Sequence, residues 1–281
     1  MILLVLLGLA VIITVALGYG SRCWQSATNE MHAKLETSRL PIVVRSFDPN
    51  ELIGLPAPVQ RYFHTALKVG QPTVAAASVK HAGTFNMSEA GEQWKPFPST
   101  QRVITQRPGF DWEARIKMMP GLVARVHDAY ISGEGLLHAS LFGLVSIVNL
   151  RGTPEIAQGE LMRFFAEATW YPTALLPSQG VQWEAVDNTS AKATLKDGAI
   201  TLTLLFRFDE NDLIGSVRAE ARWRLVSGVA TQAPWEARVS NYELRDGMRV
   251  PLEGEVAWML PEGPKPYWRG RIIDLSYEFA Q

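Results

Sequence analysis

The strongest hydrophobic pattern in the chain lies at its start. Residues 2–20 contain no charged side chain, and only Thr14 and Tyr19 carry polar groups. Nineteen residues at helical rise extend about 28 Å, close to the ~30 Å hydrocarbon core of a bilayer. The pattern predicts a transmembrane anchor over residues 1–21 and a single-pass membrane protein that contacts the membrane through residues 2–20.

A cleaved secretory signal is the alternative interpretation of this run. Such signals usually have a basic n-region and an apolar core of only ~7–15 residues. Neither feature is present here, so we expect an uncleaved anchor. The basic residues Arg22, Lys34, Arg39 and Arg45 all follow the run, and this distribution favours a cytoplasmic C-terminal domain.

Helical signals follow the anchor. Residues 22–50 form a polar connector that is helical in part, and Asp48-Pro49 is a typical helix start because Asp caps and Pro fits the first position. A further helix is predicted over residues 58–67. Its apolar side chains recur at helical spacing and are expected to be buried: Val59, Tyr62, Phe63 and Ala66.

From about residue 74 the apolar positions alternate with polar ones. This period is typical of antiparallel strands with one wet face. The faces predicted to be buried comprise Trp112, Ala114, Ile116 and Met118; Ile200, Leu202, Leu204, Phe206 and Phe208; and Val217, Ala219, Ala221, Trp223 and Leu225. Turn pairs such as Asp197-Gly198 and Asp246-Gly247 separate the runs, and we expect about eleven strands.

One helix interrupts the strands, over residues 153–170. Thr153 is its expected cap and Pro154 its first residue. About five strands precede this helix and about six follow it. We therefore predict a mainly β, α+β fold, in which residues 51–281 form one domain. Its large curved antiparallel sheet, a half-barrel, holds the amphipathic helix against its concave face.

Composition and motifs argue against several classes of function. The 281 residues carry a net charge of -1, which argues against a nucleic-acid partner because phosphate would not be attracted. The five histidines lack the spacing of metal ligands, and no phosphate loop, dinucleotide fingerprint or nucleophile elbow occurs. We expect neither metal nor cofactor, and the sequence does not favour an enzyme.

Charged residues on otherwise apolar faces are the main candidates for a site. Glu160, Arg163 and Glu167 share one face of the inserted helix, which is either a solvated stripe of ion pairs or the mouth of a cavity. Asp128 shares a strand face with apolar residues and Tyr130. A buried carboxylate needs a partner, so Asp128 either pairs with Arg163 or faces a ligand.

Aromatic residues complete the candidate set. His81 is expected to be a core or rim histidine, or part of the site. Trp112, Phe206, Trp223 and Trp258 are expected to line an apolar cavity. The predicted ligand-binding residues are Asp128, Tyr130, Glu160, Arg163, Glu167, Trp112, Trp170, Trp223 and His81.

The segment GELMRFFAEATWYPTALLP at residues 159–177 resembles an uncharacterised bacterial family of membrane-associated proteins, a domain of unknown function. The resemblance also includes LPAPVQRY (55–62), WKPF (94–97), PGFDW (108–112), DAY (128–130), WEAVD (183–187) and PYWR (266–269). More distantly, the fold implied by this resemblance is similar to the curved-sheet carriers of lipoproteins and lipids in the cell envelope. That similarity favours the extracytoplasmic side for the domain, against the basic residues after the anchor.

Three functions are compatible with these patterns. The first is a membrane-anchored binding or carrier protein for an apolar or amphipathic, lipid-like ligand. The second is a structural or assembly module that binds a protein partner. The third is a hydrolase that uses Asp128 or Glu160 with His81 or His127, although nothing in the spacing of these residues requires it.

Overall fold

One antiparallel sheet of thirteen strands forms most of the protein over residues 1–88, 91–226 and 228–281, which the computed structural model describes. The first six strands are β1 (Val74–Asn86), β2 (Trp94–Ile104), β3 (Gly109–Met119), β4 (Leu122–Ile131), β5 (Glu134–Leu141) and β6 (Val145–Arg151). The other seven are β7 (Gln182–Ala185), β8 (Ser190–Asp197), β9 (Ile200–Phe208), β10 (Ile214–Val226), β11 (Val229–Arg245), β12 (Met248–Leu260) and β13 (Gly263–Phe279).

The helices lie at the start of the chain and between the two groups of strands. The α-helices are α1 (Ile2–Thr37), α2 (Ala57–Ala66) and α3 (Pro154–Glu167). The 3-10 helices are Pro49–Leu52, Ala168–Trp170, Pro172–Leu175 and Pro177–Gln179. The predicted helix starts are confirmed, since Asp48 accepts from the backbone N–H of Asn50 and Thr153 accepts from that of Ile156.

The sheet grows outwards from its middle in both directions. Strands β1 to β6 follow one another to one edge, and β13 back to β7 follow one another to the other edge. The two groups meet where β1 pairs with β13. Because the edge strands β6 and β7 are consecutive in the chain, their connection must cross from one edge to the other, and α3 lies in that connection.

The predicted fold class is confirmed: the protein is mainly β, with an open curved antiparallel sheet and a few helices. The predicted count of eleven strands is two short, since six strands precede α3 and seven follow it. The edge strands β6 and β7 are short and mostly exposed. Strands of this kind carry little alternation, because only one neighbour and little core constrain them.

Helix α3 packs against one face of the sheet, which we call the inner face. It contacts strands on both halves, among them β4 and β5 on one side and β9 and β10 on the other. The predicted inner residues Trp112 and Phe206 are buried beneath it. The core is therefore enclosed between α3, α2 and the inner face of the curved sheet.

Helix α1 is continuous across the predicted boundary at residue 21. Its apolar part is exposed, and from Gly20 onwards it lies along the opposite, outer face of the sheet. The Trp24 indole stacks on the His127 ring with centroids 3.9 Å apart, and Thr28 Oγ1 lies 2.8 Å from His127 Nε2. The outer face of β3 and β4, predicted to be wet, is thus covered by α1. The division into anchor, connector and domain stays a prediction.

A β-bulge in β10 changes which residues face inwards. The pairing of β10 with β11 shifts by one residue between Ala219 and Arg222. Arg222 is buried and faces α3, so the next residue, Trp223, points to the outer face. The prediction that Trp223 shares a face with Val217 is therefore wrong, because the extra residue reverses the alternation.

Glycines occupy neighbouring inner positions on three central strands. Gly270 of β13 pairs with Gly83 of β1 and with Gly254 of β12. A Cβ on Gly83 would collide with the backbone carbonyl oxygen of Arg269. A Cβ on Gly254 would meet no atom closer than 3.4 Å. Only Gly83 is therefore required by close backbone approach.

The substitution Gly83→Ala should destabilise the protein by about 1–3 kcal/mol, because a backbone carbonyl must move to admit the methyl group. The matched substitution Gly254→Ala should change the free energy of unfolding by less than about 1 kcal/mol, since its methyl group makes ordinary contacts. Denaturant unfolding of the full chain in detergent micelles, followed by tryptophan fluorescence, measures both. Equal effects of the two variants would contradict this account of the central strands.

Candidate functional site

A buried ion network lies between α3 and the inner face, and Arg163 is at its centre. Arg163 Nη1 donates to Asp128 Oδ2 at 2.5 Å, and Arg163 Nε donates to Glu167 Oε1 at 2.7 Å. Gln101 Nε2 donates to the other Glu167 oxygen at 2.6 Å. The side chains of Arg163, Asp128 and Glu167 are only 14–15% exposed. The network joins β2, β4 and α3.

The guanidinium of Arg163 also lies on aromatic rings of β3. Its Cζ is 4.8 Å from the centroid of Phe110 and 4.9 Å from that of Trp112. Although burial works to lower the pKa of Arg163, the carboxylates of Glu167, Asp128 and Glu160 raise it above its ordinary value. Arg163 therefore stays charged, and cation–π contact adds to its ion pairs.

Glu160 is the third acid of the network and is 5% exposed. Burial, followed by the nearby charge of Asp128, raises its pKa well above the ordinary value. Asp128 Oδ1 and Glu160 Oε2 are both buried without a partner among the described residues. A proton on Glu160, donated to Asp128, would satisfy both oxygens. Glu160 therefore keeps its proton to higher pH than an ordinary glutamate.

Arg222 is the second cation, and sequence reasoning missed it. Its Nη2 lies 3.6 Å from Glu160 Oε1, and its Cζ is 4.8 Å from the ring centroid of Trp235. The bulge in β10 turns Arg222 inwards, whereas simple alternation places it on the wet face. No pattern in the sequence marks this bulge.

Several polar groups in the interior have no hydrogen-bond partner among the described residues. They include His81 Nε2, Trp170 Nε1, Trp112 Nε1 and Gln101 Oε1. The His81 ring lies 4.9 Å from the Trp170 ring, and its Nδ1 is 3.4 Å from Ser99 Oγ. Burial, and then the charge of Arg163, lower the pKa of His81 to about 3, so the ring is neutral at ordinary pH.

Tyr130 lies apart from the ion network. Its hydroxyl donates to Asp197 Oδ2 at 2.6 Å, and Asp197 Oδ1 accepts from Arg107 at 2.5 Å. Asp197 ends β8, on the other half of the sheet from β4. Tyr130 therefore ties the two halves together at the end where β4 turns into β5.

A cluster of aromatic side chains lies at the opposite end of the inner face. Tyr267 contacts Phe85 and Trp258, with ring centroids 5.6 and 5.8 Å away, and accepts from Trp235 Nε1 at 2.9 Å. Trp268 packs beside them against Phe97. Phe85, Trp258, Tyr267 and Trp268 are only partly buried, and we call these four residues the aromatic mouth.

Two cations stand at the edge of the aromatic mouth. Arg224 Cζ lies 5.0 Å from the ring centroid of Trp258, and Lys265 pairs with Trp258 across β12 and β13 and so shares its face. Neither cation forms an ion pair with a residue that the structure describes. The mouth thus combines apolar surface with unneutralised positive charge.

A groove of about 810 Å³ lies on the outer face. Its walls carry charges of both signs, and Arg269 and Glu255 on these walls form an ion pair at 2.7 Å. None of the residues predicted for the site lines it. The groove is open to solvent and unrelated to the ion network.

The structure therefore brings together most of the predicted site residues. Asp128, Glu160, Arg163, Glu167 and Trp112 form or contact the ion network, and His81 and Trp170 lie beside each other in the same interior. The predicted Asp128–Arg163 pair is present, and the alternative of a solvated stripe on α3 is wrong because its charges are buried. Tyr130 and Trp223 lie elsewhere. His127 faces α1 on the outer face, so it cannot act with Asp128.

Fold and site together define a half-barrel protein whose inner face combines a buried ion network with an aromatic mouth. A family of unknown function, DUF6920, matches residues 53–277, and the chain belongs to this family. The predicted resemblance to an uncharacterised family is confirmed.

Two solved structures are similar in outline. A DUF1329 family protein from Desulfovibrio piger has 10% sequence identity and a TM-score of 0.39, over 79% of this chain and 90% of that chain. The LolA superfamily protein NE2245 from Nitrosomonas europaea has 13% identity and a TM-score of 0.35, over 80% and 94%. At such scores the likeness carries no information on function. Comparison with curated proteins gives no match.

Substitution of Arg163 by Met should destabilise the fold by about 3–5 kcal/mol, because it leaves the buried carboxylates of Asp128 and Glu167 without their cation. Lys80→Met removes a cation from the exposed Lys80–Asp274 pair and should leave stability nearly unchanged. Denaturant midpoints of the two variants in detergent micelles provide the comparison. A small effect at Arg163 would show that the network does not hold α3 in place.

Glu160→Gln should change how stability depends on pH. The folded protein keeps the Glu160 proton at pH values where the unfolded chain, with an ordinary pKa of 4.5, has lost it. In the wild type, the free energy of unfolding therefore falls as the pH rises from about 4.5 towards the pKa of Glu160 in the folded protein. Glutamine does not titrate, so the variant should gain stability relative to wild type between about pH 5 and pH 7. A difference that is constant over this range would contradict a raised pKa of Glu160.

Proposed function

We propose that the protein is a membrane-anchored binding or carrier protein for an amphipathic, lipid-like ligand with an anionic head group. The aromatic mouth is the observation that carries this proposal. It exposes apolar rings on the inner face of a curved sheet, and Arg224 and Lys265 stand at its edge. Ligand sites typically combine a mainly apolar surface with a few convergent polar groups.

The chemistry of the mouth favours an acyl chain with a negatively charged end. Phe85, Trp258 and Tyr267 offer flat apolar surface to a chain, and burial of each methylene contributes about 0.8 kcal/mol. A carboxylate or phosphate beside Arg224 and Lys265 would neutralise two cations that the described residues leave unpaired. The chain itself thus supplies the rings for the acyl chain and the cations for its charged end.

Side chains of the interior close the base of the aromatic mouth. Trp268 contacts His81, with ring centroids 6.0 Å apart, and His81 contacts Trp170 beneath α3. Arg222 connects the ion network to Tyr267 through Trp235. In this proposal the network fixes α3 and so limits how deeply a ligand enters, while Asp128, Glu160 and Glu167 stay covered.

In this proposal the anchor holds the mouth beside a membrane. Helix α1 contains a segment long and apolar enough to cross a bilayer, although a signal sequence meets the same criterion. Two observations support retention of the segment: α1 continues without a break into its docked part, and Trp24, Thr28 and Leu35 are buried against the sheet. The side of the membrane on which the domain lies stays a prediction.

Native mass spectrometry of the full chain, released from detergent micelles and titrated with a long-chain fatty acid, tests the proposal. Trp258→Ala should lower the retained ligand about tenfold, because the lost stacking surface corresponds to about 1.4 kcal/mol.

Trp223→Ala is the matched control, because the bulge places Trp223 on the outer face only one residue from Arg224. It should bind like wild type. Absence of retained lipid in the wild type, or equal losses in the two variants, would overturn the proposal.

A further inference from the structure

Exposed apolar side chains lie on the turns at the end of the sheet where Gly20 of α1 docks, as others do at the far end, among them Val69 and Leu244. Met87, Met119, Leu144, Val145, Leu225 and Val229 lie in or beside four turns, and they are 39–63% exposed. We call these six residues the rim. Single exposed apolar residues are common on protein surfaces, so the place of the rim relative to α1 decides whether it marks an interaction site.

The rim lies where α1 changes from apolar and exposed to docked. Gly20 is buried against the turn between β5 and β6, where an added Cβ would lie 2.6 Å from Leu144 Cγ. The residues before Gly20 form the segment that fits a bilayer, and those after it lie along the outer face of the sheet. The helix therefore leaves the bilayer at the level of the rim.

The two ends of the sheet differ in what covers them. At the far end, Leu35 packs against Ala76 and Ile104, and α2 packs against β8 and β12. At the near end no described helix other than α1 covers the turns. The six rim residues thus stay exposed beside the point where α1 docks.

We propose that the rim inserts into the surface of the same bilayer that α1 crosses. Continuity with α1 identifies the occupant, because the helix holds these turns at the membrane surface. The basic residues Arg22 and Lys117 lie at the same level and suit the head-group region. Amphipathic surfaces of this kind bury their apolar side about 5–10 Å deep at the boundary between head groups and acyl chains.

The aromatic mouth opens at this same end. Phe85 is two residues from Met87, and Trp258 and Tyr267 flank the turn between β12 and β13. A ligand would therefore pass between mouth and bilayer without crossing water. The inference rests on the membrane anchoring of the proposed function, but it does not depend on ligand binding.

Fluorescence quenching by lipid acyl chains tests the inference. In a Cys23→Ser background, single cysteines are introduced by Met119→Cys, Leu144→Cys and Val229→Cys and labelled with an environment-sensitive fluorophore. The full chain is then reconstituted into phosphatidylcholine vesicles with or without brominated acyl chains. Emission at the rim positions should fall at least about twofold with brominated chains, as expected at interfacial depth.

Two reference positions make the outcome decisive. Leu244→Cys, at a residue 64% exposed and at the far end of the sheet, should not be quenched. Leu9→Cys, in the anchor, should be quenched strongly. Quenching at Leu9 but not at the rim would overturn the inference and leave the anchor intact. No quenching at Leu9 would overturn the anchoring and this inference together.

Discussion

The cover that α3 provides for the inner face is the constraint on which the rest of the structure depends. A curved sheet of thirteen strands exposes a wide apolar surface, and one helix covers the part that holds the ion network. The pairs of Arg163 with Asp128 and Glu167 fix that helix in place. A buried ion pair gives modest net stability but a definite geometry, since the charges cannot be left apart. The aromatic mouth lies beyond the part that α3 covers, and it stays partly open.

The sequence was sufficient for the architecture and for part of the site. Strict alternation in residues 111–118 and 200–208 predicted strands whose buried faces the structure confirms. Asp48 and Thr153 cap helix starts through hydrogen bonds to backbone groups two or three residues later. Because these contacts are local, the sequence alone predicted both helix starts. Asp128 was identified because a carboxylate on an apolar strand face needs a partner, and that partner is Arg163.

The features that the sequence did not reveal arise from contacts between distant segments. The polar residues on the outer face of β3 and β4 predict a solvated surface. In the structure α1 covers this face through Trp24 and Thr28. Strand alternation also assumes an unbroken register, so the bulge beside Arg222 reversed the assignment of Trp223. The aromatic mouth was only partly predicted, through Trp258, because Phe85 and Tyr267 are 182 residues apart in the chain and meet only in the sheet.

The pairing of β1 with β13 has a consequence for how the chain folds during its synthesis. Each half of the sheet is a run of neighbouring hairpins that can form soon after it leaves the ribosome. The seam between the halves joins the first strand to the last, so β1 presents an unpaired edge until nearly the whole chain is made. Open strand edges invite pairing with other chains. Tethering by α1 from the start of synthesis would keep neighbouring nascent copies apart during that interval.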